Sequence, residues 1–301
     1  MSSTMLQLIQ QATGEMGLNV PTYVAGNSNQ DAIQQLALLN AAGRSIARDH
    51  IWQSLTKQNL ITVQYTTITG DTTSGSSNLT NCSSIAGIDT TYQITGTGIN
   101  QATYVNADPV GNTIVMSQPA TSTNVGQTYT LGKVKYAMPT DYDRQINRTH
   151  WDKSKHWEML GPETAQQWEW LISGYISTGP RIRYRIFQNL FQIWPLVTTS
   201  EVLGFEYISN GWATSAAGVA KTAMTVDTDT SIFNDNLMVL ALKKKYFEIK
   251  GFDSSVFRAD YERELNIAKA NDGGALTLSM NPRISAILIG WEQIPDSGYG
   301  T

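Results

Sequence analysis

The sequence predicts an α+β chain: helices toward both ends, a β-rich middle, and a small all-β module of sandwich or barrel type inserted ahead of that middle. Three observations lead there. Apolar residues recur at helical spacing up to about Trp52 and again beyond Asn234. From "NLITVQY" at residue 59 the period falls to two, with Leu60, Thr62 and Gln64 alternating against Ile61, Val63 and Tyr65. Across 66–132 the only charged side chains are Asp71, Asp89 and Asp108, set among Thr, Ser, Gly and Asn with turn signals at short intervals.

The first helix is marked by Leu6, Ile9 and Met16, with Gly17 to close it and Pro21 as a stop. Ser28 and Asp31 form a capping-box-like start for the second, whose apolar face is read as Ile33, Leu36, Ala37, Ala47 and Ile51. Short β-branched runs such as "TYQITGTGI" and "NTIVMSQPA" make 66–132 a folded insertion; a disordered linker is the competing reading, and it lacks such periodic runs. The strand "KVKYAMP" brings the chain back. Residues 133–215 then read as a second β region with one short helix, and four of the eight tryptophans fall there within twenty residues: Trp151, Trp157, Trp168 and Trp170.

Within that region "RIRYRIF" alternates Arg181, Arg183 and Arg185 with Ile182, Tyr184 and Ile186, so a strand sends the cations to one face and the apolar side chains to the other. Three roles are open to the row: a solvated edge that discourages wrong pairing, a contact with carboxylates of a neighbouring protein, or a contact with DNA phosphates. Protein contact is favoured, because a net charge of -4 argues against a DNA-gripping surface.

Toward the end, Leu237, Leu240 and Phe247 share a helix face that stops at Gly251, with Lys243, Lys244, Lys245 and Lys250 near the carboxyl end where cations suit the helix dipole. Ser254 caps a further helix carrying Phe257, Tyr261, Leu265 and Ala268, closed by Gly273 and Gly274, so the pair is an αα-hairpin. Beyond it, Leu276, Leu278, Met280, Ile287, Ile289 and Trp291 read as an extended docking arm. The domain division is therefore 1–65 with 216–274 as the helical part, 66–132 as the insertion, 133–215 as the Trp-rich β region and 275–301 as the arm.

Charged residues make up 15% of the chain, which points to a neutral, hydroxyl-rich surface on which any cationic function is local. One cysteine, Cys82, excludes an intrachain disulfide framework. Neither a leader peptide nor a membrane-spanning run is expected. His50, His150 and His156 lack zinc-site spacing, and a carboxylate-histidine site of His150 and His156 with Asp141, Asp143, Asp152 and Glu158 is the remaining metal or acid/base candidate. "GTGINQ" lacks the third glycine of a dinucleotide loop, and no P-loop or nucleophile elbow occurs. No catalytic, cofactor-binding or metal-ligating residue is nominated.

Several ordered segments, "YAMPTDYDRQINRTHWD", "WEMLGPETAQQWEWLISGYISTGPRIRYRIFQNLFQIWP", "LGFEYISNGW", "DTDTSIFNDNLMVLALKKKYF" and "YERELNIAKANDGG", resemble head-to-tail adaptor (neck) proteins of short-tailed bacteriophages, the tail tubular protein A-like group. The likeness covers 133–281 closely and the first two helices loosely; the insertion departs from the smallest members. The resemblance implies a helical bundle made from both chain ends. It also implies a ring of about a dozen copies joining the portal protein to tail or nozzle proteins, with double-stranded DNA crossing the channel without sequence specificity. It implies no enzyme, no cofactor and no membrane contact, and a place at the head-to-tail interface of a virion whose parts are made in the bacterial cytoplasm. The alternative is a receptor- or glycan-binding tail component, suggested by the hydroxyl-rich module and the tryptophans. Hydrolysis by it needs two facing carboxylates, and Asp71, Asp89 and Asp108 are too scattered to nominate a pair. Interface candidates are Arg181, Arg183, Arg185, Trp151, Trp157, Trp168, Trp170, Leu278, Met280, Ile287, Ile289 and Trp291.

Overall fold

A computed structural model describes residues 2–173 and 181–273. Two helices come first, α1 (Met5–Glu15) and α2 (Gln30–Asp49). A single 3-10 turn leads into β1 (Thr56–Thr62), β2 (Tyr65–Thr72), β3 (Asn78–Thr80), β4 (Tyr92–Thr95), β5 (Thr103–Tyr104), β6 (Ile114–Val115) and β7 (Asn124–Lys133). There follow β8 (Lys135–Ala137), β9 (Tyr142–Gln145), β10 (Trp151–Asp152), β11 (Trp157–Glu158) and the short α3 (Ala165–Ile172). The remainder is β12 (Arg183–Phe187), β13 (Leu190–Trp194), β14 (Val202–Ser209), β15 (Ala213–Thr214), β16 (Ala220–Lys221), β17 (Thr230–Ser231), α4 (Asp235–Lys250) and α5 (Ser255–Gly273).

The α+β expectation framed on a helical bundle is corrected by this architecture. The described residues hold 17 strands in four antiparallel sheets against five α-helices, so the molecule is mostly β with a long β-rich middle. Nor do the helices form a self-sufficient bundle. Their core, built on Leu8, Leu39, Ile46, Leu237 and Leu242, also takes in Ile208, Trp212, Ala213 and Met224 from the β segments. Trp212 is the wedge. Its fully buried ring lies so close to α2 that a Cβ on Gly43 would meet it at 2.4 Å, and its Nε1 donates to the Thr222 carbonyl at 2.9 Å.

β1, β14, β10 and β11 follow one another in a sheet that β9 joins by also pairing with β14. A three-stranded sheet ordered β12-β13-β8 faces it, and Ile61, Tyr136, Tyr184, Phe191, Leu203 and Phe205 fill the space between the two. Six strands in the order β5-β4-β7-β2-β3-β6 build the sheet of the 65–133 stretch around Ile68, Leu79, Ile94, Tyr129 and Leu131, with Cys82 buried among them. Ala102 and Tyr104 of that stretch meet Trp168, Leu171 and Trp194 in a separate small cluster. The fourth sheet, β16-β15-β17, ties the helical core to the loop at Asp229, which accepts from the Thr225 and Val226 N–H groups and pairs with Lys221.

Several boundaries differ from the sequence reading. Asn29, not Ser28, caps α2, accepting from Asp31 N–H at 2.9 Å. The buried face of α2 is Ala32, Gln35, Leu38, Leu39, Ala42, Gly43, Ile46 and Ala47, which leaves Ile33 and Ile51 exposed. At the other helical end the two agree: Gly251 closes α4 in the left-handed conformation, φ 75°.

Candidate interaction surface

β12 separates its two faces as strand geometry dictates, with Ile182 and Tyr184 buried and the arginines outward. The three cations do not form one uniform row. Arg181 precedes the strand and is exposed. Arg183 is paired within the chain, its guanidinium donating to Glu163 Oε1 at 2.6 Å, and Glu163 is itself held by its N–H donating to the Tyr184 carbonyl at 3.0 Å. Arg185 lies over the Phe187 ring at 4.6 Å and lines an open groove of about 520 Å³ between β9 and β12, shared with Tyr142, Asp143, Pro162 and Ile186.

The tryptophans divide as sharply. Trp168 is buried against Leu171 and Trp194, a packing role that takes it off the surface. Trp170, 54% exposed, projects from the other side of α3, and Trp157, 38% exposed, stands on the β10-β11 hairpin. Trp151 sits opposite Gly204 in the register of β10 and β14, on the outer face of the sheet, beside Leu60, which is also opposite Gly204 and 56% exposed. A side chain at Gly204 would strike the Lys153 stem at 2.6 Å, so the glycine lets that stem lie flat across the sheet. Trp151, Arg148, Lys153, His156 and Glu206 line a groove of about 490 Å³ there. Leu278, Met280, Ile287, Ile289 and Trp291 lie outside the described residues.

Charge beneath this surface is locked in place. Asp141 accepts from Lys57 Nζ at 2.6 Å, Ser209 Oγ at 2.7 Å and Tyr207 Oη at 2.8 Å. Burial alone pushes its carboxyl up, and these three donors together with the Lys57 charge outweigh that and hold it down to about 2. Asp152 and Glu201 are a buried pair at the root of the β10-β11 hairpin. Burial and then the neighbouring Glu201 carboxylate raise Asp152, while hydrogen bonds from Lys155 and Thr199 hold Glu201 below its ordinary range against burial. Of the two, Asp152 is the carboxyl that holds its proton more tightly.

His150 is not part of a metal or acid/base cluster with these carboxylates. Its ring stacks on Tyr184 at 4.0 Å and Phe205 at 5.1 Å, both nitrogens lack a partner, and burial lowers it to about 4. Among the described residues no three or more His, Cys, Asp or Glu side chains are grouped to hold a metal ion. No helix there is long and apolar enough to cross a membrane.

Two features escaped the sequence reading. Ile249, Phe252 and Val256 stand 60%, 61% and 67% exposed around the α4-α5 turn; the signal is that Ile249 falls off the Leu237–Leu242–Tyr246 face of α4 and Val256 off the Tyr261–Leu265 face of α5. The second is a cavity of about 100 Å³ lined by Arg44, Arg48, Asp143, Asn210 and Trp212. Its only trace in the sequence is "RSIAR", two arginines at i, i+4 on a helix. Compared with known proteins, the chain matches no family model and no curated protein.

Proposed function

We propose that the chain is a structural adaptor of a short-tailed bacteriophage, a subunit of a ring that joins the portal to the tail and lines the channel through which DNA passes. The observation that carries this reading is the set of large apolar side chains standing exposed on regular elements or their tight turn: Leu60, Trp157, Trp170, Ile249, Phe252 and Val256. Uncovered tryptophan and phenylalanine side chains are the kind of anchor on which protein interfaces centre. The carboxylates beneath that surface favour the same reading. Asp141, Asp152, Glu163 and Glu201 are each committed to partners inside the chain, as structural pairs are.

The mechanism is geometric. Head-to-tail contacts close a ring when the rotation between copies divides the circle, and many modest contacts sum to a durable joint. Partners are further copies, a portal protein and tail or nozzle proteins, with duplex DNA passing by without being read. The ring belongs to the virion and its subunits are made in the bacterial cytoplasm. Mixing the purified chain with portal assemblies and measuring the mass of the product tests this. A complex holding a fixed number of copies per portal is the expected result; portal assemblies whose mass is unchanged at saturating chain contradict it.

A further inference from the structure

Arg44 and Arg48 lie one turn apart on α2, both exposed, and line the cavity floored by Trp212. Other cations around them are engaged: Lys57 with Asp141 at 2.6 Å, Arg144 with the His50 carbonyl at 3.2 Å, Lys269 with Asp49 at 2.5 Å. Among the described residues Arg44 and Arg48 make neither a side-chain hydrogen bond nor an ion pair, although like charges at this spacing repel. In the same cavity the buried Oδ1 of Asn210 has no donor.

These groups specify a ligand. The guanidinium pair calls for an oxyanion, and the Asn210 oxygen calls for an N–H or O–H. A phosphodiester backbone offers the first and not the second. A peptide bearing Asp or Glu offers both, through its side chain and its own backbone N–H. The Asp143 carboxylate on the cavity wall also favours a singly charged group over a dianion.

The chain itself holds such a peptide. Residues 284–301 contain Glu292 and Asp296 and no Lys or Arg. The last turn of α5 is pinned beside the C-terminal end of α2, where Asp272 accepts from Gln53 N–H at 2.8 Å and lies 3.7 Å from His50 Nε2. Arg48 and Arg44 precede His50 by two and six residues, so they lie within roughly 10 Å of it along the helix axis. Glu292 follows Gly273 by 19 residues, which span up to about 60 Å when extended. The segment reaches the cavity with slack.

We propose that the acidic segment around Glu292 and Asp296 binds intramolecularly in the Arg44/Arg48 cavity, its carboxylates on the guanidinium groups and a backbone N–H on Asn210. The pairing stands apart from ring assembly and is tested on the isolated full-length chain. Chymotrypsin cleavage after Trp291 and Tyr299, followed by intact mass, reads the fraction of time the segment is free. In the Arg44→Glu/Arg48→Glu double variant cleavage is expected to run about tenfold faster, the effect of losing two charge-assisted contacts. Adding Glu292→Arg/Asp296→Arg to that variant restores slow cleavage, and raising salt speeds cleavage of the unaltered chain without any substitution. Equal rates in the unaltered chain and the Arg44→Glu/Arg48→Glu variant overturn the proposal. So does salt-independent cleavage of the unaltered chain, a failure of the fourfold variant to recover, or protection that grows with protein concentration, which would place the segment on a neighbouring copy.

Discussion

Replacing Gly43 with alanine tests the junction between helices and sheets by the sign of its effect. In an ordinary helix interior Gly→Ala stabilises by about 1 kcal/mol, because the unfolded chain loses freedom and the helix gains a better former. Here the new Cβ would sit 2.4 Å from Trp212 Cη2 and Cζ3 and 2.5 Å from Cζ2, where ordinary contact begins near 3.4 Å. The indole must retreat by about 1 Å, yet it is fully buried and tethered through Nε1 to Thr222. Overpacking of this kind costs about 3 kcal/mol at the upper end of its range, so the net effect is a destabilisation of about 2 kcal/mol. Urea unfolding followed by far-UV circular dichroism and by tryptophan fluorescence measures it. Gly14→Ala on α1 is the control, since a Cβ there meets nothing within 4 Å and should stabilise by about 0.5–1 kcal/mol. If both substitutions raise the midpoint, Trp212 does not lie against Gly43 and the account of the helix–sheet core is wrong.

Other perturbations separate packing from contact and charge from burial. Trp168→Ala, emptying a buried site, should cost about 3–5 kcal/mol, whereas Trp157→Ala and Trp170→Ala should move stability by no more than about 0.5 kcal/mol yet weaken association with portal assemblies, read by mass. Asp141, held to about 2 against an ordinary 3.8, contributes stability that is present above pH 4 and lost as pH falls through 2. Lys57→Met should remove about 1 kcal/mol of that contribution at pH 7, a figure reduced for the 40% exposure of the lysine, and flatten the loss below pH 4 in urea titrations. His150, lowered to about 4, is neutral in the folded chain while the unfolded chain takes a proton below 6.5, so its contribution is intact above pH 6.5 and falls away toward pH 4. His150→Phe should keep the aromatic stack and make stability at pH 5 less dependent on pH, which matched unfolding series at pH 7 and 5 will show.

The sequence exposed its helices more readily than its sheets, and the reason is length. α1, α2, α4 and α5 run for eleven to twenty residues, long enough to carry a repeat, and the first three carry caps as well. Seven strands, β5, β6, β10, β11, β15, β16 and β17, are two residues long and carry no period at all, so the β-rich middle is legible as a region while its share of the fold is underweighted and the helical frame overestimated. On α2 the reading went to the large side chains Ile33 and Ile51, but the packed face turns on Gly43, whose value depends on Trp212 arriving from 169 positions away. The alternation of the arginine strand was legible because it is local. The partner of Arg183 was not, because Glu163 is brought to it by the Leu160–Arg183 bridge and the backbone bond to Tyr184. Tryptophan density pointed to the right stretch without telling Trp168, which packs, from Trp170, which faces out.

Electron microscopy of the intact viral particle tests the adaptor reading most directly. A closed ring of this chain directly beneath the portal, with Trp157, Trp170 or the Ile249–Phe252–Val256 tip seated against a neighbouring protein, is the predicted image. Particles that lack the chain, or that carry it with all of those side chains facing solvent, contradict it.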